Sequence, residues 1–465
     1  MKRTKIVATV GPSTDSSAIL RKMIHAGANA FRINLSHGSQ EQWKRLTHEI
    51  KQASQDVAII VDTSGPEMRL VGVRSPRELQ PNSVFSISLK KHETMPYLSH
   101  HVQVTKGTPL LIDDGSITAI VEGVSNDVAQ IRVLDGGILT DRRKITLPKT
   151  QSTLPILSPK DKKDVKFMLK QGIDVVALSF TRNKKDVVTC RKLVGEDILI
   201  VAKIESSEGV ENIDEIIEHA NGIMIARGDL GVEIPLEEVP LVQKKIIEKC
   251  NRAAKPVIVA TQMLESMTRN SRPTRAEASD VANAILDGAD CLMLSQETAV
   301  GQYPIESVST MAAIANTMDI SFTTRLERVS DSKIEIAEAI SNAAYDLSVN
   351  LHINAIITAT TSGFTARMIS RFRPKVPIIG IAHDQHIKRQ LQLSWGVTPI
   401  TFSRKPTGSR KMVRQAVQSA VDAKLLKDSD TIIATAGIDT LQAGATNLIE
   451  VHNVGELLAA HKKDK

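Results

Sequence analysis

Residues 198–229 read ILIVAKIESSEGVENIDEIIEHANGIMIARGD. Ile198 to Lys203 and Gly222 to Ala226 are near-continuous apolar runs, the pattern of parallel strands covered on both faces, and the segment between them reads as helical. Polar residues follow each run at once: Lys203-Ile204-Glu205 closes the first, and Arg227-Gly228-Asp229 closes the second. The same unit recurs on either side. Lys5 to Gly11 (KIVATVG), Ala30 to Leu35 (AFRINL), Val57 to Asp62 (VAIIVD) and Val175 to Phe180 (VVALSF) precede it, and Pro256 to Thr261 (PVIVAT) and Cys291 to Ser295 (CLMLS) follow. Helical patterns fill the intervals. After Gly11, Ser13-Thr14-Asp15-Ser16 offers N-caps, Ile19, Leu20, Met23 and Ile24 form one apolar stripe, and Gly27 supplies the stop. Eight strands in such alternation predict the α/β class and a closed (β/α)8 barrel.

One long interruption follows the third strand. From about Arg69 to Leu147 the chain carries short alternating segments, Val84 to Leu89, Leu110 to Asp113, Ile117 to Glu122 and Asp127 to Leu134, which predict a small all-β domain inserted into the barrel. Past the eighth strand the pattern changes to a long helix, Ile334 to Val349, and then to strands Ala355 to Thr358, Val376 to Ile381 and Thr431 to Thr435 between helical segments. A separate α/β domain is expected there. The division is therefore 1–68 with 148–325 for the barrel, 69–147 for the insertion and 334–465 for the C-terminal domain.

Composition narrows the function. The 465 residues hold 59 Lys and Arg against 52 Asp and Glu, interspersed, so the net charge of +7 belongs to the whole surface and not to a polybasic arm. With aromatics at 3%, a base-stacking platform is excluded as well, and no nucleic-acid partner is expected. A modest positive balance suits small anionic substrates. Cys190, Cys250 and Cys291 show no CxxC spacing and fit a reducing cytoplasm. No apolar run approaches the roughly 18 residues of a membrane span, so neither an export segment nor a membrane anchor is expected.

In a βα barrel the active site forms where strands end, and here those ends are strongly polar. They bring Arg32, Asn34, Ser36 and His37 after the second strand, Asp62 and Thr63 after the third, Ser179 after the fourth, Lys203 and Glu205 after the fifth, Asp229 after the sixth, Thr261 after the seventh and Ser295 after the eighth. Any one of these alone is more simply a solvated or salt-bridged loop residue. Together they point to a centre: Glu205 and Asp229 form a hard-oxygen pair suited to Mg²⁺, and Lys203 beside them favours an anionic substrate with charge developing on oxygen or phosphorus.

Eight ordered motifs carry a resemblance over nearly the whole chain. They are Lys5 to Pro12 (KIVATVGP), Arg32 to Gly38 (RINLSHG), Asp62 to Arg69 (DTSGPEMR), Ala202 to Glu205 (AKIE), Ile225 to Glu233 (IARGDLGVE), Ala260 to Met267 (ATQMLESM), Arg272 to Glu277 (RPTRAE) and Leu294 to Thr298 (LSQET). The chain resembles the pyruvate kinase family. That resemblance implies phosphoryl transfer from phosphoenolpyruvate to ADP, giving pyruvate and ATP as the last step of glycolysis, in a cytoplasmic homotetramer under allosteric control. It further implies Glu205 and Asp229 as ligands of Mg²⁺ (or Mn²⁺), Lys203 neutralising the phosphoryl group in flight, and Arg32 facing that group. Ser179, Gly228, Asp229, Thr261 and Lys203 would contact phosphoenolpyruvate, and Asn34, His37 and Arg69 the nucleotide. Asn34, Ser36, Asp62 and Thr63 would cage K⁺, although Asn34 and Ser36 also read as turn caps. Glu67 supports K⁺, because family members without that requirement tend to carry Lys there. Thr261 and Ser295 resemble the relay that protonates the enolate. The insertion would be a mobile lid with Asp113-Asp114-Gly115 at a tight turn, closing to exclude water. Thr360, Ser362 and Thr365, in Thr358 to Arg367 (TATTSGFTAR), resemble a sugar-phosphate effector loop, which a plain strand-to-helix cap also resembles. Trp395 reads equally as a wall of that pocket or as a structural residue.

The chain departs from the family pattern at several points. Ser64 replaces the usual Lys, and Gln296 stands at a usual Gly, where a positive φ would strain it. Lys144 and Lys149 also stand at usual glycines, with Thr146 at a usual Asn, and Ala436 to Leu441 (AGIDTL) alter the second wall of the effector pocket. Two rival readings follow from the residues: a Mg²⁺-dependent aldol-type lyase acting on a 2-oxo acid, and a non-catalytic paralogue with a regulatory or scaffolding role.

Overall fold

The computed structural model describes residues 2–148, 154–321, 335–404, 409–437 and 446–459. Eight parallel strands close into a barrel: β1 (Lys5–Thr9), β2 (Ala30–Asn34), β3 (Ala58–Asp62), β4 (Val175–Leu178), β5 (Leu199–Ile204), β6 (Gly222–Ala226), β7 (Val257–Ala260) and β8 (Cys291–Leu294). Their order around the barrel is sequential, and β1 closes it by pairing with both β2 and β8. All eight are buried on both faces except at Asn34, the last residue of β2, which is why they read as continuous apolar runs. Val7, Ile60, Val201, Met224, Ile258 and Met293 fill the interior, while a larger apolar cluster joins the outer faces to the helices.

Five strands, β1, β2, β4, β7 and β8, end one or two residues short of their apolar runs, and for β4 and β7 the backbone says why. Phe180 (φ 53°) and Thr261 (φ 68°) have turned into the left-handed region, so the chain leaves the sheet there. Gly65 makes a similar turn after β3 at φ 75°, and a Cβ on it would stand 2.9 Å from Ser179 Cβ and 2.7 Å from Phe180 Cδ2. The motif Arg272 to Glu277 has a structural use. Thr274 caps the helix Arg275–Leu286 in a reciprocal box with Glu277, whose carboxylate also accepts the Ser266 amide at 2.7 Å.

The segment after β3 forms a second, seven-stranded closed barrel that begins with the strand Met68–Val71 and ends with Lys144–Thr146. A two-stranded ribbon, Arg77–Leu79 with Gly137–Leu139, lies alongside it in the chain. Asp113 (φ 55°), Asp114 (φ 54°) and Gly115 (φ 88°) are all left-handed, the tight turn expected of Asp-Asp-Gly between Pro109–Ile112 and Ile117–Ser125.

The C-terminal domain opens with the helix Ile336–Asn350 and holds a five-stranded sheet: β9 (Ala355–Thr360), β10 (Ile378–Ala382), β11 (Val397–Thr401), β12 (Thr431–Ala436) and β13 (Leu448–Asn453). The order is β11-β10-β9-β12-β13, with only β13 antiparallel. β11 lies outside the strands expected from the sequence; it carries Pro399 and sits at the sheet edge, where a missing N–H is tolerated. This domain docks on the N-terminal end of the barrel. Lys5 Nζ donates to Val397 O (2.6 Å), Arg373 pairs with Asp290 (2.9 Å), and Asp174 before β4 accepts Arg389 and His386 (both 2.9 Å). Leu393 completes the interior apolar cluster at that end, so the opposite end is the one left for chemistry. Trp395 serves this junction: it is buried, its indole N–H donates to Asp319 at 3.2 Å, and Arg373 stacks on its ring.

Two further expectations need correction or placing. Gln296 is not in the left-handed region; it opens the short helix Gln296–Ala299, so no strain arises from its side chain. Lys149 and Ile438 to Leu441 lie outside the described residues, as does the expected start of the long helix at Ile334.

Candidate active site

Strand ends β1 to β5 deliver one continuous charged cluster into the barrel mouth. Arg32 Nε and Nη2 both reach Asp62 Oδ2 at 2.6 Å, and its third nitrogen donates to Thr9 Oγ1 at 3.1 Å. Lys203 Nζ lies 3.0 Å from Asp62 Oδ1, 3.0 Å from Glu205 Oε1 and 2.8 Å from Ser179 Oγ. Ser179 is held in turn by Asp62 Oδ1 (2.9 Å), the Thr63 carbonyl (2.8 Å) and its own amide donating to Thr63 Oγ1 (3.0 Å). Glu205 takes a further bond from the Phe180 amide at 2.6 Å. Arg32 and Lys203 are 8% exposed, and Asp62 and Glu205 are 1% exposed, so each charge depends on its neighbours.

Electrostatics follow from that enclosure. Burial opposes the Asp62 charge, but Arg32 and Lys203 more than offset it and hold the carboxyl below its usual range. Burial likewise opposes the Lys203 charge, and Asp62 and Glu205 outweigh it, so the ammonium persists. Glu205 is pushed well above the usual carboxylate range, first by burial and then by Asp229 and Asp62, with Lys203 opposing. Asp229, on the first turn of the helix Arg227–Glu233, goes the other way: burial opposes its charge, and Lys144 overcomes that. The two carboxyls are neighbours, each acting on the charge of the other. Such a pair of hard oxygens, one of them reluctant to ionise beside the other, is a place that a divalent cation would suit. Among the described residues no group of three or more His, Cys, Asp or Glu gathers as a metal cluster.

On the far side of the mouth Thr261 Oγ1 accepts the Gly228 amide at 2.8 Å and donates to the Ala260 carbonyl at 2.6 Å. A β-branched residue at positive φ is strained, and such strain gathers at functional sites. Ser295 Oγ is buried and has no hydrogen-bond partner among the described residues. Glu297, also buried, accepts the amides of Ser295 (2.7 Å) and Leu264 (3.1 Å) and so fixes both strand ends.

Eight motifs, one closed barrel and one charged mouth define a family. A pyruvate kinase barrel-domain model matches residues 1–308, and a pyruvate kinase alpha/beta-domain model matches residues 338–452. The chain belongs to the pyruvate kinase family. It is 44% identical to the pyruvate kinase of Geobacillus stearothermophilus over 98% of this chain and 81% of that protein. It is 41% identical to the enzyme of Clostridium acetobutylicum over 98% of this chain and all of that protein, and 41% identical to that of Sporosarcina psychrophila over 99% and 82%.

Within this pyruvate kinase fold the other sequence-derived positions fall as follows. Asn34 and Asp62 are register partners across β2 and β3, and Asn34 Oδ1 accepts the Ser36 amide at 3.0 Å, so Asn34, Ser36, Asp62 and Thr63 are neighbours. Arg69 lines a cavity of about 400 Å³ together with Asp229, Asp114 and Lys144, whereas Asn34 and exposed His37 stand outside that lining. A second cavity of about 380 Å³ lies against Phe180, Glu208 and Glu211, and Lys144 borders both. The Ser64 amide donates to Asp161 Oδ1 at 3.1 Å. In the C-terminal domain Thr360 Oγ1 accepts the Gly363 amide (2.9 Å), Thr365 shares a hydrogen bond with Thr446 (2.7 Å), and the Ser362 carbonyl accepts Arg367 (3.1 Å), so this loop is a well-bonded strand-to-helix turn.

Three site residues are given no role in the sequence reading: Thr9, Glu297 and Lys144. Thr9 lies inside the apolar run Lys5 to Gly11 and Glu297 two residues past the run Cys291 to Ser295, each without a chemical signature of its own. Lys144 had one signal, its place at a usual glycine, but its partner Asp229 lies 85 positions away.

Proposed function

We propose that Lys203, Arg32, Glu205, Asp229, Thr261 and Ser295 divide the work of the family's reaction, transfer of phosphoryl from phosphoenolpyruvate to ADP to give pyruvate and ATP. The observation that carries this reading is Lys203, a buried ammonium aimed into the mouth between Asp62, Ser179 and Glu205. Phosphoryl transfer needs little covalent help and much positioned positive charge, which such a rigid cation supplies without reorganising. Arg32, clamped by Asp62, adds a second fixed charge on the same side.

Glu205 and Asp229 would hold Mg²⁺ or Mn²⁺. A divalent ion there supplies neutralisation of the carboxylate and enolate oxygens of phosphoenolpyruvate. Ser179, Gly228 and Thr261 would orient that substrate, while Arg69 would meet the nucleotide with Asn34 and His37. Asn34, Ser36, Asp62 and Thr63 would form the K⁺ cage; Asp62 already balances Arg32 and Lys203, so K⁺ would rely on the neutral oxygens. Ser295 and Thr261 would pass the proton to the enolate carbon. The unpartnered Ser295 hydroxyl supports this, because a buried hydroxyl without a partner is costly unless it serves a substrate or water. The inserted barrel would act as the lid. A sugar-phosphate effector at Thr360, Ser362 and Thr365, a homotetramer, a cytoplasmic location and the domain limits given above belong to the same reading. No described helix is long and apolar enough to cross a membrane.

Pyruvate formation with Mg²⁺, with and without K⁺, tests the reading. Lys203→Ala should lower kcat by about 10²–10³-fold. Unchanged turnover in that variant removes Lys203 from the mechanism, and turnover indifferent to K⁺ removes the cage alone.

A further inference from the structure

Lys144 belongs to the lid, in the strand Lys144–Thr146, yet its ammonium reaches across to the barrel. It forms an ion pair with Asp229 and another, at 3.1 Å, with Asp114 of the Asp-Asp-Gly turn. Its Nζ stands 5.3 Å from the centre of the Phe180 ring, and its side chain is only 16% exposed. The adjoining Arg143 pairs with Asp113 at 2.9 Å, so the two lid cations and the two lid acids of this turn are matched one to one. Burial opposes the Lys144 charge, but Asp229 and then Asp114 outweigh it, so the group stays protonated. Lys203 reaches Glu205 directly, whereas Asp229 is met by Lys144. Three cations, Arg32, Lys203 and Lys144, thereby face three carboxylates, Asp62, Glu205 and Asp229.

We propose that Lys144 is an internal counter-cation that competes with the divalent metal for Asp229 and ties the lid to the barrel while it holds that place. Metal binding and release of the lid are then one equilibrium. The chemistry of lysine suits this exchange: a flexible stem carries a point charge that can leave one oxygen for another, as the planar guanidinium of Arg32 in its two-pronged bond with Asp62 cannot. The cavity that Lys144 shares with Arg69 offers the released ammonium a second anionic partner in the substrate phosphates.

This inference rests on Asp229 being a metal ligand, and the test separates the two. Free Mn²⁺ is titrated by electron paramagnetic resonance against the full chain without substrate, in wild type, Lys144→Met, Lys144→Gln and Asp229→Asn. Removing a positive charge beside the ion should tighten Mn²⁺ binding by about tenfold in both Lys144 variants, of which Met keeps the stem against Phe180. Hydrogen exchange of the strands Pro109–Ile112 and Lys144–Thr146 supplies the second readout. Mn²⁺ should speed that exchange in wild type and leave it unchanged in the two Lys144 variants, where it is already fast. Mn²⁺ affinity that is lost in Asp229→Asn but unaltered in both Lys144 variants overturns the competition and keeps the metal site. Affinity unaltered in Asp229→Asn overturns both.

Discussion

Ser295 shows how one atom can separate stability from function. Its hydroxyl is buried without a partner among the described residues, so replacing it by Ala removes an unsatisfied polar group and should leave the urea midpoint unchanged or slightly raised, within about 0.5 kcal/mol. If the hydroxyl serves enolate protonation, turnover should fall by about 10²-fold in the same variant. A large loss of stability with no loss of turnover would assign Ser295 to the fold instead. Lys203, Glu205 and Asp229 were placed at the mouth without coordinates, because each closes an apolar run or stands within three residues of its end, and a barrel must aim such residues at its mouth. Lys144 was legible only as an oddity. Its ion pair with Asp229 depends on two domains meeting at a distance that no spacing along the chain encodes.

Two turns carry their own tests. Gly65 follows β3 at φ 75° and packs against Ser179 and Phe180, so Gly65→Ala should cost about 1–3 kcal/mol in denaturant unfolding and disturb Ser179, the hydroxyl that holds Lys203. Gln296 makes the opposite case. Because it opens a helical turn and not a left-handed one, restoring glycine there should bring no gain and should cost up to about 1 kcal/mol. A rise in melting temperature for Gln296→Gly would contradict the helical assignment. The barrel strands were readable from their double burial, and the helix Ser17–Ala26 from its stripe and its Gly27 stop. β11 was not, since a proline is compatible with a strand only at an edge, and edges exist only once the sheet is assembled.

The docking of the C-terminal domain on the barrel carries a pH signature. His386 Nδ1 bonds Asp174, its other nitrogen lies 2.8 Å from the Asp197 carbonyl, and Arg389 shares the same carboxylate. The hydrogen bond to Asp174 raises the His386 pKa above its usual 6.5, with burial and Arg389 opposing. A raised folded-state pKa means that the stabilisation is fully present below pH 6.5 and fades as pH climbs through the higher folded value. His386→Gln should therefore lower the urea midpoint most below pH 6.5, with the gap to wild type narrowing in alkaline buffer. A gap that does not change with pH would show that the neutral ring does the same job.

What the chain determined by itself is the set of elements and the chemistry at their ends. Periodicity marks buried strands, turn residues mark their limits, and both are local properties that survive without a fold. The assembled molecule alone determined which charges meet. Asp62 gains Arg32 and Lys203, Asp229 gains Lys144, and Asp174 gains His386 and Arg389 from strands and domains remote in sequence. Ion pairing acts over a few ångströms in a water-poor interior, so these partnerships, and the protonation states they impose, exist only where folding has brought the groups together.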